Sequence, residues 1–138
     1  MTNLFVWAEY NELAIALIDD PYLNAPVVAC YRAAISRAYY AAFRTAHEQL
    51  KGYGVYVDES EGSHVGVIQA FLHSSVPERQ EIGALLNLLK TYRVAADYYS
   101  EPVDRFGVGH GDAEFCVTEV TKALGLLKQS GSLPRPWY

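Results

Sequence analysis

The feature that most constrains this chain is a long helical stretch from about Ala25 to Leu50. Val28, Ile35, Tyr39, Phe43, Ala46 and Leu50 recur there at steps that all fall on one side of an α-helix. Ala33, Ala34, Ala38, Ala41 and Ala42 fill the positions between them. Alanine favours helix and lets neighbouring helices come close. Asn24 is placed to cap this helix, Pro26 suits a first turn, and Gly52 ends it. A helix with so wide an apolar face demands partners, and the rest of the chain supplies them.

Four further helices are predicted. One runs from about Trp7 to Ile18 and stops at Asp19-Asp20-Pro21. A short one covers Ser63 to Leu72, with Val65, Ile68, Phe71 and Leu72 inward. The next starts near Pro77-Glu78 and runs to about Tyr99, with Pro102 preventing its continuation. The last spans Asp112 to Lys128, with Ala113, Cys116, Val117, Val120, Leu124 and Leu127 as its stripe. Residues 52–62 read as an exposed loop, and Gly107, Gly109 and Gly111 as a flexible link. No segment has a convincing period of two. The expected fold is all-α: an up-and-down helical bundle of four main helices plus a short one. The bundle covers residues 1–130, and 131–138 form a tail that frays or docks through Trp137.

Composition narrows the function classes. With 51% hydrophobic and 20% charged residues the chain resembles ordinary globular proteins. A net charge of −5 argues against nucleic-acid binding by bulk electrostatics, so any RNA contact must come from a local patch. Cys30 and Cys116 fall inside helical patterns without metal-ligand spacing, and buried thiols are expected. His64, His73 and His110 show no metal spacing either; surface or packing roles are expected for them, and no metal or other cofactor. No apolar run is long enough to span a membrane, and no signal peptide is read at the N-terminus. A cytoplasmic setting is expected.

Two constellations stand out. Ile82, Leu85, Leu86 and Leu89 define an inward stripe, and Arg93, eleven positions after Ile82, returns to nearly the same angle. A guanidinium on that stripe is costly unless paired, and Asp97, four residues on, is a natural partner. The pair either fixes helix packing or presents a charge to a cleft or dimer seam, ready for a phosphate. On the long helix, Arg37, Tyr40, Arg44, His47 and Lys51 step by three and four along one face, opposite the apolar stripe. Such a row is either a solvated face or a track for a phosphodiester backbone.

The segment Arg32-Ala-Ala-Ile-Ser-Arg-Ala-Tyr-Tyr-Ala-Ala-Phe43, followed by Arg93-Val-Ala-Ala-Asp-Tyr98, resembles the HEPN family of small prokaryotic helical domains. His64-Val-Gly-Val-Ile-Gln-Ala-Phe71 is similar to the segment often found between those motifs. The resemblance spans about residues 10–128. It implies a helical bundle that dimerises and forms an RNA- or nucleotide-binding cleft at the homodimer interface. It further implies a metal-independent endoribonuclease of a toxin–antitoxin or defence system, or an accessory module that pairs with a minimal nucleotidyltransferase. A detached substrate-binding helical domain is a third reading. In the family's catalytic signature four to six residues separate an arginine from a following histidine. Arg93 matches the arginine, and Tyr98, Tyr99 and Ser100 occupy the histidine window. The site expected on this basis has Arg93, oriented by Asp97, with Tyr98 against the ligand. Arg37, Tyr40, Arg44 and His47 would contact RNA or nucleotide.

Overall fold

The computed structural model describes residues 5–20, 23–100, 107–134 and 136–137. Five helices follow in chain order: α1 (Glu9–Asp19), α2 (Val27–Gly52), α3 (Ser63–Leu72), α4 (Pro77–Tyr98) and α5 (His110–Gly131). No strand occurs among the described residues. Pro21 and Pro102, read from sequence as helix stops, lie outside them.

The long amphipathic stretch becomes the centre of the molecule, since α2 packs against each of the other four helices. Side-chain contacts give the directions. Tyr31 meets His110 near the start of α5, and Gln49 bonds the Leu127 carbonyl near its end, so α2 and α5 run parallel. The start of α2 meets the end of α4 through Arg32 and Ser36, so those two are antiparallel. Trp7 and Tyr10 meet Arg44 and Arg37 in that order, which makes α1 antiparallel to α2. The result is an up-and-down bundle of four main helices, with short α3 packed on α2 and α4.

One continuous apolar cluster joins the helices. It includes Ala14, Ile35, Tyr39, Phe43 and Leu50, then Ile68, Phe71, Leu86, Leu89, Val120 and Leu127. Fully burying each large aliphatic side chain contributes about 1.5–3 kcal/mol. The alanines at 34, 38, 41, 42 and 46 are fully buried, so α2 meets its neighbours through small side chains. Cys30 and Cys116 are buried free thiols, and burial pushes the Cys116 thiol up to about 12. The α3 contacts depend on two glycines. A Cβ on Gly66 would stand 2.2 Å from the Asp58 carbonyl oxygen, and one on Gly83 would stand 2.8 Å from the Leu72 backbone nitrogen. Only glycine lets residues 57–58 lie on α3, and α3 lie on α4, this closely.

Some local expectations are corrected. α2 begins at Val27, with Pro26 at the cap position and no side-chain cap, so Asn24 does not cap it. Val28, expected on the inward face, is 51% exposed; the first residues of α2 are all exposed, and burial begins only at Cys30. The glycine link is shorter than expected: Gly109 caps α5, its N–H donating to Asp112 Oδ2 at 3.0 Å, and Gly111 lies inside the helix. Residues 101–106, ahead of that link, lie outside the described part. The tail docks: Trp137 is 2% exposed and its indole N–H donates to the Ala70 carbonyl.

Candidate functional site

The inward stripe of α4 forms as its spacing predicts. Ile82, Leu85, Leu86, Leu89 and Ala96 are buried, and Arg93 is buried among them at 6% exposure. Its environment is aromatic. The guanidinium carbon lies 5.4 Å from the Tyr39 ring centre, 5.5 Å from that of Tyr40 and 5.8 Å from that of Tyr98. These ring faces carry partial negative charge and attract a cation. The expected partner is present but loosely held. Arg93 Nη1 stands 3.7 Å from Asp97 Oδ2, beyond hydrogen-bond length. That same oxygen accepts a bond from the Ser36 hydroxyl at 3.1 Å. Arg93 Nε is buried and has no hydrogen-bond partner. A buried donor left unmade costs about 1–3 kcal/mol, so this guanidinium is under-satisfied.

Two of the three segments that carry the family resemblance, Arg32–Phe43 and Arg93–Tyr98, meet at this place. Ser36 faces Asp97, and Tyr39 and Tyr40 face Arg93. Arg32, the first residue of the earlier segment, holds the end of α4. Its Nη1 donates to the carbonyls of Ala95, Ala96 and Tyr99, the last at 2.6 Å, and its Nη2 to that of Ser100. The final carbonyls of a helix have no partners within it, and a guanidinium there also answers the negative end of the helix dipole. Residues 32, 36, 39 and 40 form one side of α2, and that side grips the C-terminal turn of α4.

A histidine that spacing alone did not single out also belongs here. His64, in the first turn of α3, stacks on Phe43 with ring centres 4.1 Å apart. Its Nδ1 bonds the Tyr39 hydroxyl at 2.7 Å. It packs, as expected, but against the same two tyrosines that flank Arg93. Partial burial and the nearby positive charges of Arg93 and Lys90 hold its pKa down to about 4, so it is neutral at pH 7. Burial pushes the Tyr39 hydroxyl well above the usual phenol range, so it keeps its proton. His47 is also held below its usual range, chiefly by desolvation and then by Arg44 and Lys51.

The basic row on α2 is not a freely solvated face. Arg37, Tyr40, Arg44 and His47 are all half-buried. Arg37 lies 5.0 Å over the Tyr10 ring and 5.3 Å over Tyr40, and Arg44 lies 4.6 Å over Trp7. The aromatic residues at the start of α1 thus cover two of its three arginine and lysine side chains, because aromatic faces offset the desolvation of a guanidinium. Tyr40 joins the row to Arg93, touching both Arg37 and Arg93. Tyr98 is 71% exposed and forms the outer edge of the Arg93 surroundings.

Two grooves lie beside the helices that carry His64 and Arg93. One of about 380 Å³ runs between α3 and the loop before it, past Tyr56, Asp58, His73 and Trp137. Another of about 340 Å³ follows the outer side of α4 beside Lys90, Val94 and Tyr99. Arg93 lines neither. Among the described residues no group of three histidine, cysteine, aspartate or glutamate side chains is placed to hold a metal ion. Among the described residues no helix is long and apolar enough to cross a membrane.

Spacing did not single out Arg79, although it stands three residues before Ile82 on the Arg93 stripe. It is 1% exposed. Its Nε donates to Ser130 Oγ at 2.8 Å and its Nη2 to the Ser130 carbonyl at 3.1 Å. Its Nη1 donates to the Trp137 carbonyl, and the Trp137 ring covers it at 3.8 Å. Compared with known proteins, the chain matches no family model, no curated protein and no solved structure, so its resemblance to a family rests on the Arg32–Phe43, His64–Phe71 and Arg93–Tyr98 segments alone.

Proposed function

We propose that this chain is a HEPN-like cytoplasmic protein that recognises phosphate groups of RNA or of a nucleotide at Arg93, in a cleft completed by a second copy. The under-satisfied guanidinium carries this reading. Arg93 is buried, its Nε lacks an acceptor, and its only carboxylate within ion-pair reach among the described residues is loosely held and shared with Ser36. A phosphate offers such a fork the two parallel acceptors that Asp97 does not. Asp97 orients the guanidinium, exposed Tyr98 offers a face to the ligand, and Arg37, Tyr40, Arg44 and His47 extend the contact along α2. Exposed Tyr98 at the end of α4 and Tyr99 just after it give a second copy an aromatic surface beside the site.

The decisive experiment measures binding of labelled single-stranded RNA and of AMP to wild type and Arg93→Ala, together with cleavage of a mixed RNA pool in EDTA. Binding by wild type that is lost in Arg93→Ala supports the reading. Equal, contaminant-level cleavage by both removes the endoribonuclease version and leaves binding. A non-catalytic module that docks a partner, such as a minimal nucleotidyltransferase, is favoured by one observation: Arg93 is closed off within a single chain at 6% exposure. Unchanged RNA and AMP binding in Arg93→Ala, with co-purification of a nucleotidyltransferase, would decide for it.

A further inference from the structure

In a chain of net charge −5, the junction of α2, α3 and α4 collects positive charge. The charged groups acting on His64 are Arg93 and Lys90 of α4 and His47 of α2, and each opposes its protonation. Against them stands Asp97, partly exposed and 3.7 Å from Arg93. No carboxylate is among the charged groups acting on His64.

His64 is built to be still. The Phe43 stack fixes the plane of its ring, the Tyr39 bond fixes its rotation, and Tyr40 meets it edge-on at 5.8 Å. The Tyr39 hydroxyl has no other acceptor among the described residues, so its proton goes to Nδ1 of the imidazole. The ring hydrogen of neutral His64 is then on Nε2, which has no partner among the described residues. An immobilised N–H donor and an under-satisfied guanidinium thus flank the same pair of tyrosine rings.

We infer that His64 is a second anion-binding residue, its Nε2–H donating to the phosphate held by Arg93, so that α2, α3 and α4 of one chain form the phosphate-binding core of the site. Tyr39 is a positioning residue, since it acts through the imidazole. The inference rests on the reading of Arg93 as a phosphate ligand and adds a residue from another helix. The phosphate belongs either to an RNA backbone or to a free nucleotide, and the two arms below separate these sources.

The test titrates full-length protein with labelled single-stranded RNA, and in parallel with AMP, at about pH 7.5 and about pH 5.5. His64→Leu removes the donor at similar volume and weakens binding about tenfold. His64→Gln keeps a donor and stays within about threefold of wild type at the higher pH. Tyr39→Phe frees the ring and weakens binding about threefold. Wild type binds RNA more tightly at the lower pH, because a bound anion favours the imidazolium, and His64→Gln loses the part of that response that His47 does not supply. AMP is compared at the higher pH, because its phosphate takes up a proton at about pH 6. Far-ultraviolet circular dichroism checks that each variant is folded. Wild-type affinity and pH response in His64→Leu, with binding still lost in Arg93→Ala, overturns the inference and leaves the reading of Arg93 standing. No binding of RNA or AMP by wild type overturns both.

Discussion

Helix α4 carries two buried arginines on one stripe, about four turns apart. Arg79, near its start, has a hydrogen-bond acceptor for each guanidinium nitrogen and an indole face against the cation. No carboxylate lies within ion-pair distance of it among the described residues. Arg93, near its end, has a carboxylate but lacks a partner for Nε. The difference teaches that the formal counter-ion is the poorer guide to purpose. Carbonyls and a hydroxyl satisfy Arg79, and it works as a clasp that ties the tail and α5 to α4. Arg93 is held mainly by ring faces, and its hydrogen-bonding capacity is left over.

The largest expected effect is therefore at Arg79. Arg79→Ala takes the donor from the Trp137 carbonyl and the Ser130 hydroxyl, leaves the Ser130 carbonyl with only Tyr53 and Leu133, and opens a cavity beside Trp137. A loss of about 3–5 kcal/mol in urea unfolding is expected, a large share of the stability of a domain this size. A loss below about 1 kcal/mol would break the contrast between the two arginines. Next comes Trp137→Ala, expected to cost about 2–4 kcal/mol. Its ring contacts Phe71 and Tyr53 as well as Arg79. Since Arg79 and Trp137 share one contact, the double variant should fall short of the sum of the two losses by about 1–2 kcal/mol. Strict additivity would mean the tail is not clasped by Arg79.

The fold was legible because its signals were local and repeated. The α2 stripe, the alanines between its members and the proline and glycine punctuation all pointed to helix, and errors were confined to ends such as Val28 and Asn24. Arg93 was legible by the same logic, as a charge at a leucine position. Arg79 obeyed that rule too and could have been found by extending the stripe one step back from Ile82. His64 was not legible as part of the site. Its role depends on α3 being laid against α2 and α4, and on Gly66 and Gly83 permitting the approach, which no spacing along the chain encodes. Nor did the row of Arg37, Arg44 and His47 announce that Trp7 and Tyr10 would cover it.

Acid sharpens the comparison from the side of His64. Its folded pKa, about 4, lies below the ordinary imidazole value of 6.5, so the unfolded chain binds more protons between those limits. Stability is full above about pH 6.5 and falls as pH drops towards about 4. After discounting for solvent screening of a half-buried ring, the loss is about 1 kcal/mol. His47, also held low, acts in the same direction. Urea midpoints measured across this window should flatten in His64→Gln and keep the full slope in Arg79→Ala. An unchanged slope in His64→Gln would assign the acid response to His47 instead.

The smallest effect on stability, and the most telling one, is expected at Arg93. Arg93→Leu completes the apolar stripe of Ile82, Leu86, Leu89 and Ala96 and removes a buried donor that has no acceptor. It forfeits three ring contacts and a loose ion pair. Asp97 is left partly exposed to water and still bonded to Ser36, so no carboxylate is stranded. Replacing a buried charge by a well-packed apolar side chain is often neutral or stabilising. Urea unfolding of Arg93→Leu should fall within about 1 kcal/mol of wild type, while its binding of RNA or AMP disappears. A destabilisation as large as that of Arg79→Ala would mean that both arginines are structural clasps. A stable bundle that no longer binds would show that the chain bears the cost of this guanidinium for its ligand.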